Sequence, residues 1–448
     1  MKLLHTSDLH LGQLFHEYDR TREHQAFFRL LAGTVRREQP DALLISGDIY
    51  HNSIPSAQAQ KLYTDSILTL KEACPGMTIV ITAGNHDSGS RLEIDRNLWE
   101  HLDVKVIGGI SRKDGKPDLE KHIIEIRTGE GKTAGYVIAL PHIYRQNYPE
   151  LDTQQPDSGA LWTEDRCARR QKAFYAKLME MVKERNRTGL PVVMMAHLAV
   201  TGCDITGHEE PIGGMDYTPL SFFPEGYDYL ALGHIHHPQF VGTGDGAGDS
   251  GVMTSVSEDE PVIEHLCTPP AARYSGSPLH VSFDEDYPHS ISSVEIPSAR
   301  QDRKKIKVRE IAVPEIIPMV TLPDTPVPSE EAIDALLHFP DSKAAYIRLN
   351  ILVRDYLKQN VAVDAVKAAE GKKCRYCHMK VTRENESTEN GNTLRLTVEE
   401  IRTMSPLDVA RMYYRKQFSC EMDGDFEKML EQVARELSDN SGNEDITY

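Results

Sequence analysis

The chain has 448 residues, 40% of them apolar and 26% charged, with a net charge of −18. That length allows two or three domains, each with its own buried core, and excludes a minimal scaffold that needs disulfides to fold. The acidic balance runs against phosphate binding through basic side chains, although bound divalent cations would supply positive charge locally and leave a metal nuclease open.

At the start, Asp8 and His10 interrupt the chain before any apolar stretch could form a leader core. No apolar run approaches the eighteen or so residues of a membrane span. Seven cysteines without framework spacing read as reduced thiols. A cytoplasmic protein without a membrane partner is therefore expected. The first 290 residues alternate short β-rich runs with helical patterns, which predicts an α/β layered fold. Strands are expected at Lys2–Thr6, Ala42–Ser46, Ile79–Thr82, Tyr136–Leu140, Val192–Ala196 and Tyr229–Leu232. Phe27, Leu30, Leu31 and Val35 fall at helical spacing, and a longer helix is expected from about Thr163 to Asn186. Every one of these strands except that ending at Leu140 runs into a small cluster of Asp, Asn or His.

Gly242 to Glu260 is rich in Gly, Ser, Asp and Glu and lacks periodicity, so it reads as a solvated insertion. After Ile296 the texture changes. Arg300–Arg309 holds six basic residues, and prolines 314, 318, 323, 326 and 328 follow. A helix capped by Ser329, a strand at Tyr346–Val353, a helix at Val361–Glu370 and a strand at Tyr376–Thr382 make a small α+β domain. Cys374 and Cys377 form a lone C-x-x-C, with too few ligands for a closed zinc site, and read as free thiols. Near the end, Ser405-Pro406 starts one helix. Phe426, Met429, Leu430, Val433, Ala434 and Leu437 line one face of another, which must pack on this chain or on a partner.

Five clusters carry the chemistry. Asp8 and His10 lie two apart at a strand end, where both side chains project to one side and could share an ion. Gly47-Asp48 supplies a carboxylate able to bridge two cations. Gly84-Asn85-His86-Asp87 adds an amide oxygen and an imidazole, His197 ends its strand, and Gly233-His234-Ile235-His236 repeats the i, i+2 device. Any one of these has an ordinary structural reading as a cap or a satisfied polar residue. Five ligand-bearing clusters after five strands point together to a divalent metal centre of mixed O and N ligands, favouring Mn²⁺, with Mg²⁺, Fe²⁺ or Zn²⁺ as alternatives.

The pattern D-x-H, G-D, G-N-H-[DE], H and G-H-x-H resembles the calcineurin-like metallophosphoesterase superfamily. Gly47-Asp48-Ile49-Tyr50-His51-Asn52-Ser53, Ala231 to Gln239 and Tyr274-Ser275-Gly276-Ser277-Pro278-Leu279 resemble, within it, the SbcD family of nuclease subunits of double-strand-break repair complexes. The resemblance is strong over residues 1–290 and extends further only in domain order. It implies a four-layer sandwich of two central mixed sheets flanked by helices, with a capping domain and C-terminal helices. The implied divisions are residues 1–297 for the nuclease domain, 298–395 for the α+β cap and 396–448 for helices docking the partner. It also implies one ion on Asp8, His10 and His236, another on Asn85, His197 and His234, and Asp48 bridging. His86 would stabilise the transition state or protonate the leaving oxygen, aided by Asp87, and His51 would contact the scissile phosphate. The activity implied is Mn-dependent 3′→5′ exonuclease cleavage of duplex DNA and endonuclease cleavage of hairpins or single strands, by two-metal in-line attack.

The partner implied is an SbcC-like ATPase with a long coiled coil, the chain itself being a homodimer within a heterotetramer. Arg303, Lys304 and Lys305 become candidate DNA contacts, against the alternative of a solvated hinge. Two rival readings share the fold. A phosphoesterase of small phosphodiesters or phosphoproteins would use the same metal set without needing His51, and a non-catalytic scaffold would be expected to lack some ligand histidines, none of which is missing here.

Overall fold

The computed structural model describes residues 1–151, 164–207, 216–242, 252–257, 260–354 and 360–383. The chain divides into two compact units, Met1–Thr382 and Arg383–Tyr448. The C-terminal helices expected from Ser405 and around Phe426 lie outside the described residues.

Two mixed sheets organise the first unit. One has eight strands, ordered Val252–Ser257, Glu260–Cys267, Ile306–Ala312, Ser290–Glu295, Lys2–Thr6, Ala42–Ser46, Thr78–Thr82 and Val104–Ile107. The other has six, ordered Gln239–Val241, Ala271–Tyr274, Tyr229–Gly233, Val192–His197, Thr133–Ala139 and Ile123–Arg127. The last four strands of the first sheet run parallel, as do Ala271–Tyr274 through Thr133–Ala139 of the second. Parallel strands need both faces covered, which explains why Ala42–Ser46 is an unbroken buried run.

The two-residue period of a strand divides these side chains between two cores. Leu43 and Ile45 pack with Phe27, Leu31 and Val35 of helix Thr21–Glu38 and with Ile67 and Leu70 of helix Ala57–Ala73. Ala42 and Leu44 turn the other way, against Val137, Val193 and Met195 of the second sheet. The far side of that sheet packs Ile138, Met194 and Leu230 on Phe174, Leu178 and Val182 of helix Glu164–Arg185. Loops at the carboxyl ends of parallel strands from both sheets thus converge on one rim, where α/β folds gather ligands.

A third sheet, Met319–Val327, Tyr346–Val353 and Arg375–Arg383, packs with helices Ser329–His338 and Val361–Ala369 around Leu336, Ile347, Leu349 and Ala365. Polar contacts tie it to the first turn of helix Thr21–Glu38 and to the segment between Ala271–Tyr274 and Ser290–Glu295. The Tyr346 hydroxyl donates to Glu23 Oε1 at 2.7 Å, Glu23 pairs with buried Arg20 at 2.8 Å, and Arg348 pairs with Asp284 at 2.7 Å.

Three expectations need correction. The boundary at residue 297 moves, because Ile306–Ala312 pairs with Ser290–Glu295 and Glu260–Cys267 inside the eight-stranded sheet. The insertion is not all surface loop, since Val252–Ser257 is an antiparallel strand against Glu260–Cys267. Ser329 is the first helical residue, preceded by Pro328 at the cap position. No helix among the described residues is long and apolar enough to cross a membrane.

Buried neutral histidines make the fold acid-sensitive. His24 and His122 are 2% and 0% exposed, and burial pushes each down to about 4. His122 Nδ1–H donates to the Ala139 carbonyl at 2.8 Å. A folded-state pKa below the unfolded value of about 6.5 means that the unfolded chain takes up the proton first. Stability is then full above about pH 6.5 and falls as pH drops towards 4. His122→Gln should flatten the pH dependence of the urea-unfolding free energy between pH 6.5 and 5 by up to about 1.4 kcal/mol per pH unit. An unchanged slope would exclude His122 as a source.

Candidate metal centre

The site residues follow strands, except His197, which ends one, and the backbone turns sharply at several of them. Asp8, His10, Asp48 and His234 all have positive φ, at 53°, 46°, 50° and 101°. Non-glycine residues avoid this region, so four such residues in one cluster mark a place where local strain is held by its surroundings. The loops brace one another. Asp8 N–H donates to the Gly47 carbonyl at 3.1 Å, and His10 N–H to that of Asp48 at 3.0 Å. The Asp8 carboxylate accepts the His234 N–H at 3.0 Å, and Asp48 Oδ1 accepts that of His86 at 2.9 Å. Two glycines make this approach possible. A Cβ on Gly84 would lie 2.1 Å from Asp48 Oδ1, and one on Gly47, at φ +86°, 2.1 Å from His197 Nδ1.

The side chains converge in groups. Asp8, His10 and His236 bring one ligand atom each within 4.8 Å of one another, as do Asp48, His197 and His234. His10 Nε2 and His236 Nε2 face each other at 3.3 Å. Asn85 Oδ1 sits 2.9 Å from both His197 Nε2 and His234 Nδ1. Asp48 Oδ2 lies between the groups, 3.8 Å from His10 Nε2 and 3.4 Å from His197 Nε2. A third group, His10, His51 and His86, adjoins the first.

The electrostatics of this pocket call for positive charge. Asp8, His10, Asp48 and His197 are each at most 4% exposed. Burial acts to raise the Asp48 carboxyl, yet the His197 imidazole and then His10 and His86 hold it well below the usual range. His197 responds in the opposite sense: burial lowers it, but Asp48 and Asp8 raise it to about 9. Burial pushes Asp8 up, and pushes His10 well below 6.5, which leaves its imidazole neutral. Because His197 Nδ1–H donates to the Ser46 carbonyl at 2.8 Å, the other ring nitrogen confronts the oxygens of Asn85 and Asp48. Three acceptors around one point require a proton or a cation among them. Neutral imidazoles, an amide oxygen and ionised carboxylates without sulfur are the donor set of hard or borderline divalent ions.

Other sequence expectations fare differently. His86 is exposed and His51 half-buried, their rings 5.8 Å apart, and His86 Nδ1–H donates to the His51 carbonyl at 2.8 Å. The Asp87 carboxylate does not reach that imidazole. It accepts the N–H groups of Gly84, Tyr50 and Ile49 at 2.8, 2.9 and 3.0 Å, and so clamps two ligand loops together. Arg303 is not available to DNA, because its guanidinium pairs with Asp228 at 2.9 Å and donates to the Gly189 carbonyl. Lys304 and Lys305 are exposed.

Sequence reasoning missed three contributors. His142, two residues beyond Leu140, places Nδ1 3.3 Å from the His197 carbonyl, so that strand also ends at the site. His24 Nε2 meets the Leu9 carbonyl at 3.0 Å, between Asp8 and His10. Glu285 brings Oε1 to 3.4 Å from His236 Nδ1. For His142, the strand-end rule used for the other clusters was a sufficient signal; for Glu285, one acid in the run Asp284-Glu285-Asp286, there was none.

The calcineurin-like phosphoesterase family profile matches residues 1–238. Similar proteins include the SbcD component of the SbcCD nuclease of Rhodobacter capsulatus, 31% identical over 77% of this chain and 78% of that protein. The corresponding SbcD proteins of Escherichia coli K12 and Bacillus subtilis are 29% and 30% identical, over 64% and 66% of this chain. Those matches span 62% and 66% of the relatives' own lengths. With a strand-end cluster of this composition, the match shows that the chain belongs to the calcineurin-like phosphoesterase family, as an enzyme of phosphoester hydrolysis akin to the SbcD nucleases.

Proposed function

We propose that this chain is the DNA nuclease subunit of an ATP-dependent repair complex, cleaving phosphodiester bonds with two divalent cations, Mn²⁺ foremost. The observation that carries the reading is the convergence of Asp8, His10 and His236 on one side of Asp48, and of Asn85, His197 and His234 on the other. When bound, two such cations supply Lewis-acid charge on the phosphate and activate water for in-line attack. Asp48 holds the two ligand groups at a common carboxylate. Because His86 Nδ1–H is committed to the His51 carbonyl, Nε2 is the nitrogen left to hydrogen-bond the leaving oxygen and assist its departure. His51 meets the scissile phosphate beside it.

The substrates on this reading are duplex ends, cut 3′→5′, and hairpins or single strands, cut internally. The names of the relatives support a nuclease that works as one subunit beside an SbcC partner; on this reading the nucleic acid is DNA, and the partner is a coiled-coil ATPase docked on residues 396–448. The alternation of helix, sheet, sheet and helix supports the four-layer sandwich, and the three-stranded sheet beside it is the DNA cap, beginning after about residue 313. Lys304 and Lys305 remain as phosphate contacts. The described cysteines are free thiols, in keeping with the cytoplasm. For the homodimer, Leu98 on the short helix Arg96–Glu100, with Ile94 and Leu102 just outside its two ends, offers exposed apolar side chains at 63%, 73% and 38%.

Asp48→Ala and His86→Ala separate binding from chemistry. With Mn²⁺ and linear duplex DNA, Asp48→Ala should lose both metal and cleavage, whereas His86→Ala should keep its metal and lose about 10²–10⁴ in rate. Wild-type cleavage in either variant, or hydrolysis of cyclic nucleotides in preference to DNA by the parent protein, would contradict the proposal. Leu98→Glu should convert a dimer to a monomer in size-exclusion light scattering with the metal content unchanged; an unaltered mass would move the interface elsewhere.

A further inference from the structure

An imidazole binds a cation through the lone pair of one ring nitrogen, so the other nitrogen carries a proton and needs an acceptor. That acceptor sets the tautomer and the plane of the ring. His197 has a backbone carbonyl in this role, that of Ser46. At His236 the corresponding partner is a carboxylate. Its Nε2 faces His10 Nε2 at 3.3 Å on the ligand side, and its Nδ1 faces Glu285 Oε1 at 3.4 Å behind it.

The Glu285 side chain is 0% exposed, which is unusual for a carboxylate and demands partners. Oε2 accepts the Val281 N–H at 3.0 Å and lies 3.4 Å from His289 Nε2. A Cβ on Gly207 would come within 2.6 Å of Glu285 Cγ, so the side chain is closed in on that side as well. The segment carrying it is pinned from the three-stranded sheet. Arg348 pairs with Asp284 at 2.7 Å and lies 5.1 Å from the centre of the Phe283 ring. Phe283 in turn packs on Phe15, with ring centres 5.4 Å apart. With the segment anchored at both preceding residues and Oε2 held by Val281 N–H beside His289, Oε1 is the carboxylate oxygen turned towards His236.

We infer that Glu285 is a positioning residue of the metal centre, accepting the Nδ1 proton of His236 so that Nε2 is presented to the cation shared with Asp8 and His10. The inference rests on His236 being a metal ligand. A carboxylate in this position raises the basicity of the imidazole and restricts its rotation, and loss of such a partner typically lowers metal affinity about 10–100-fold.

The test is Mn²⁺ titration of the full-length apoprotein, followed by electron paramagnetic resonance of the free ion, for the parent, His236→Ala, Glu285→Ala and Glu285→Gln. Thermal melting of each apoprotein establishes folding. The inference expects Glu285→Ala to weaken one of two Mn²⁺ sites about 10–100-fold and leave the second unchanged, with Glu285→Gln, which keeps an oxygen acceptor but no charge, weakened about tenfold. A purely structural role would lower the melting temperature without moving affinity in the folded variants. If His236→Ala loses a site while folded Glu285 variants bind as the parent does, the inference is overturned and the metal assignment stands. If His236→Ala also binds two ions with parental affinity, the assignment of His236 falls and the inference with it. Should Glu285→Ala fail to fold, parental affinity in Glu285→Gln alone overturns the inference.

Discussion

The Asp48 carboxylate, 2% exposed and ringed by imidazoles, is the constraint around which the rest of this molecule is arranged. An ionised group in that position is costly unless positive charge meets it. In the protein alone the nearest such charge is that of His197, whose Nε2 lies 3.4 Å from Asp48 Oδ2 and whose imidazole Asp48 holds towards its protonated form. A divalent cation would meet the same demand with more charge and would give Asn85 and His234, both in contact at 2.9 Å, a common partner. The pocket is therefore pre-organised for ions: the acceptors are in place, and their mutual repulsion is relieved when positive charge enters.

Holding such a cluster needs a stiff frame, and the two sheets provide it. Parallel strands buried on both faces end together at one rim, and their following residues adopt left-handed conformations that an isolated loop would not retain. Backbone hydrogen bonds between Asp8 and Gly47 and between His10 and Asp48, together with the three amides gathered by Asp87, hold these turns against relaxation. Asp87 thus fixes the placement of the loops that carry Asp48 and Asn85. The three-stranded sheet joins this frame through Glu23 and Asp284, so the region read as a cap is linked by short polar contacts to segments that abut the ligands.

Much of this was legible in the sequence where the determinants are local. Ala42–Ser46 is a largely apolar run ending directly in its ligand motif, and each Gly-Asp, Gly-Asn-His and Gly-His-x-His carries within a few residues both the glycine that permits close approach and the ligand it exposes. Where the determinant is a distant partner, the sequence was silent. Arg303 looked like a phosphate contact because Asp228 and the Gly189 carbonyl that occupy it are remote in the chain. Val252–Ser257 looked like solvated loop because its strand character comes from pairing with Glu260–Cys267 rather than from its own composition. Glu285 is the sharpest case, a buried carboxylate disguised as part of an acidic run.

On the proposed reading Asp8, His10, Asp48, Asn85, His197, His234 and His236 enclose two cations. Anomalous diffraction at the manganese edge, from crystals grown with Mn²⁺, tests it directly. Two peaks are expected, one against Asp8, His10 and His236 and one against Asn85, His197 and His234, with Asp48 reaching both. Absence of peaks from this cluster, with manganese bound elsewhere on the protein, would contradict it.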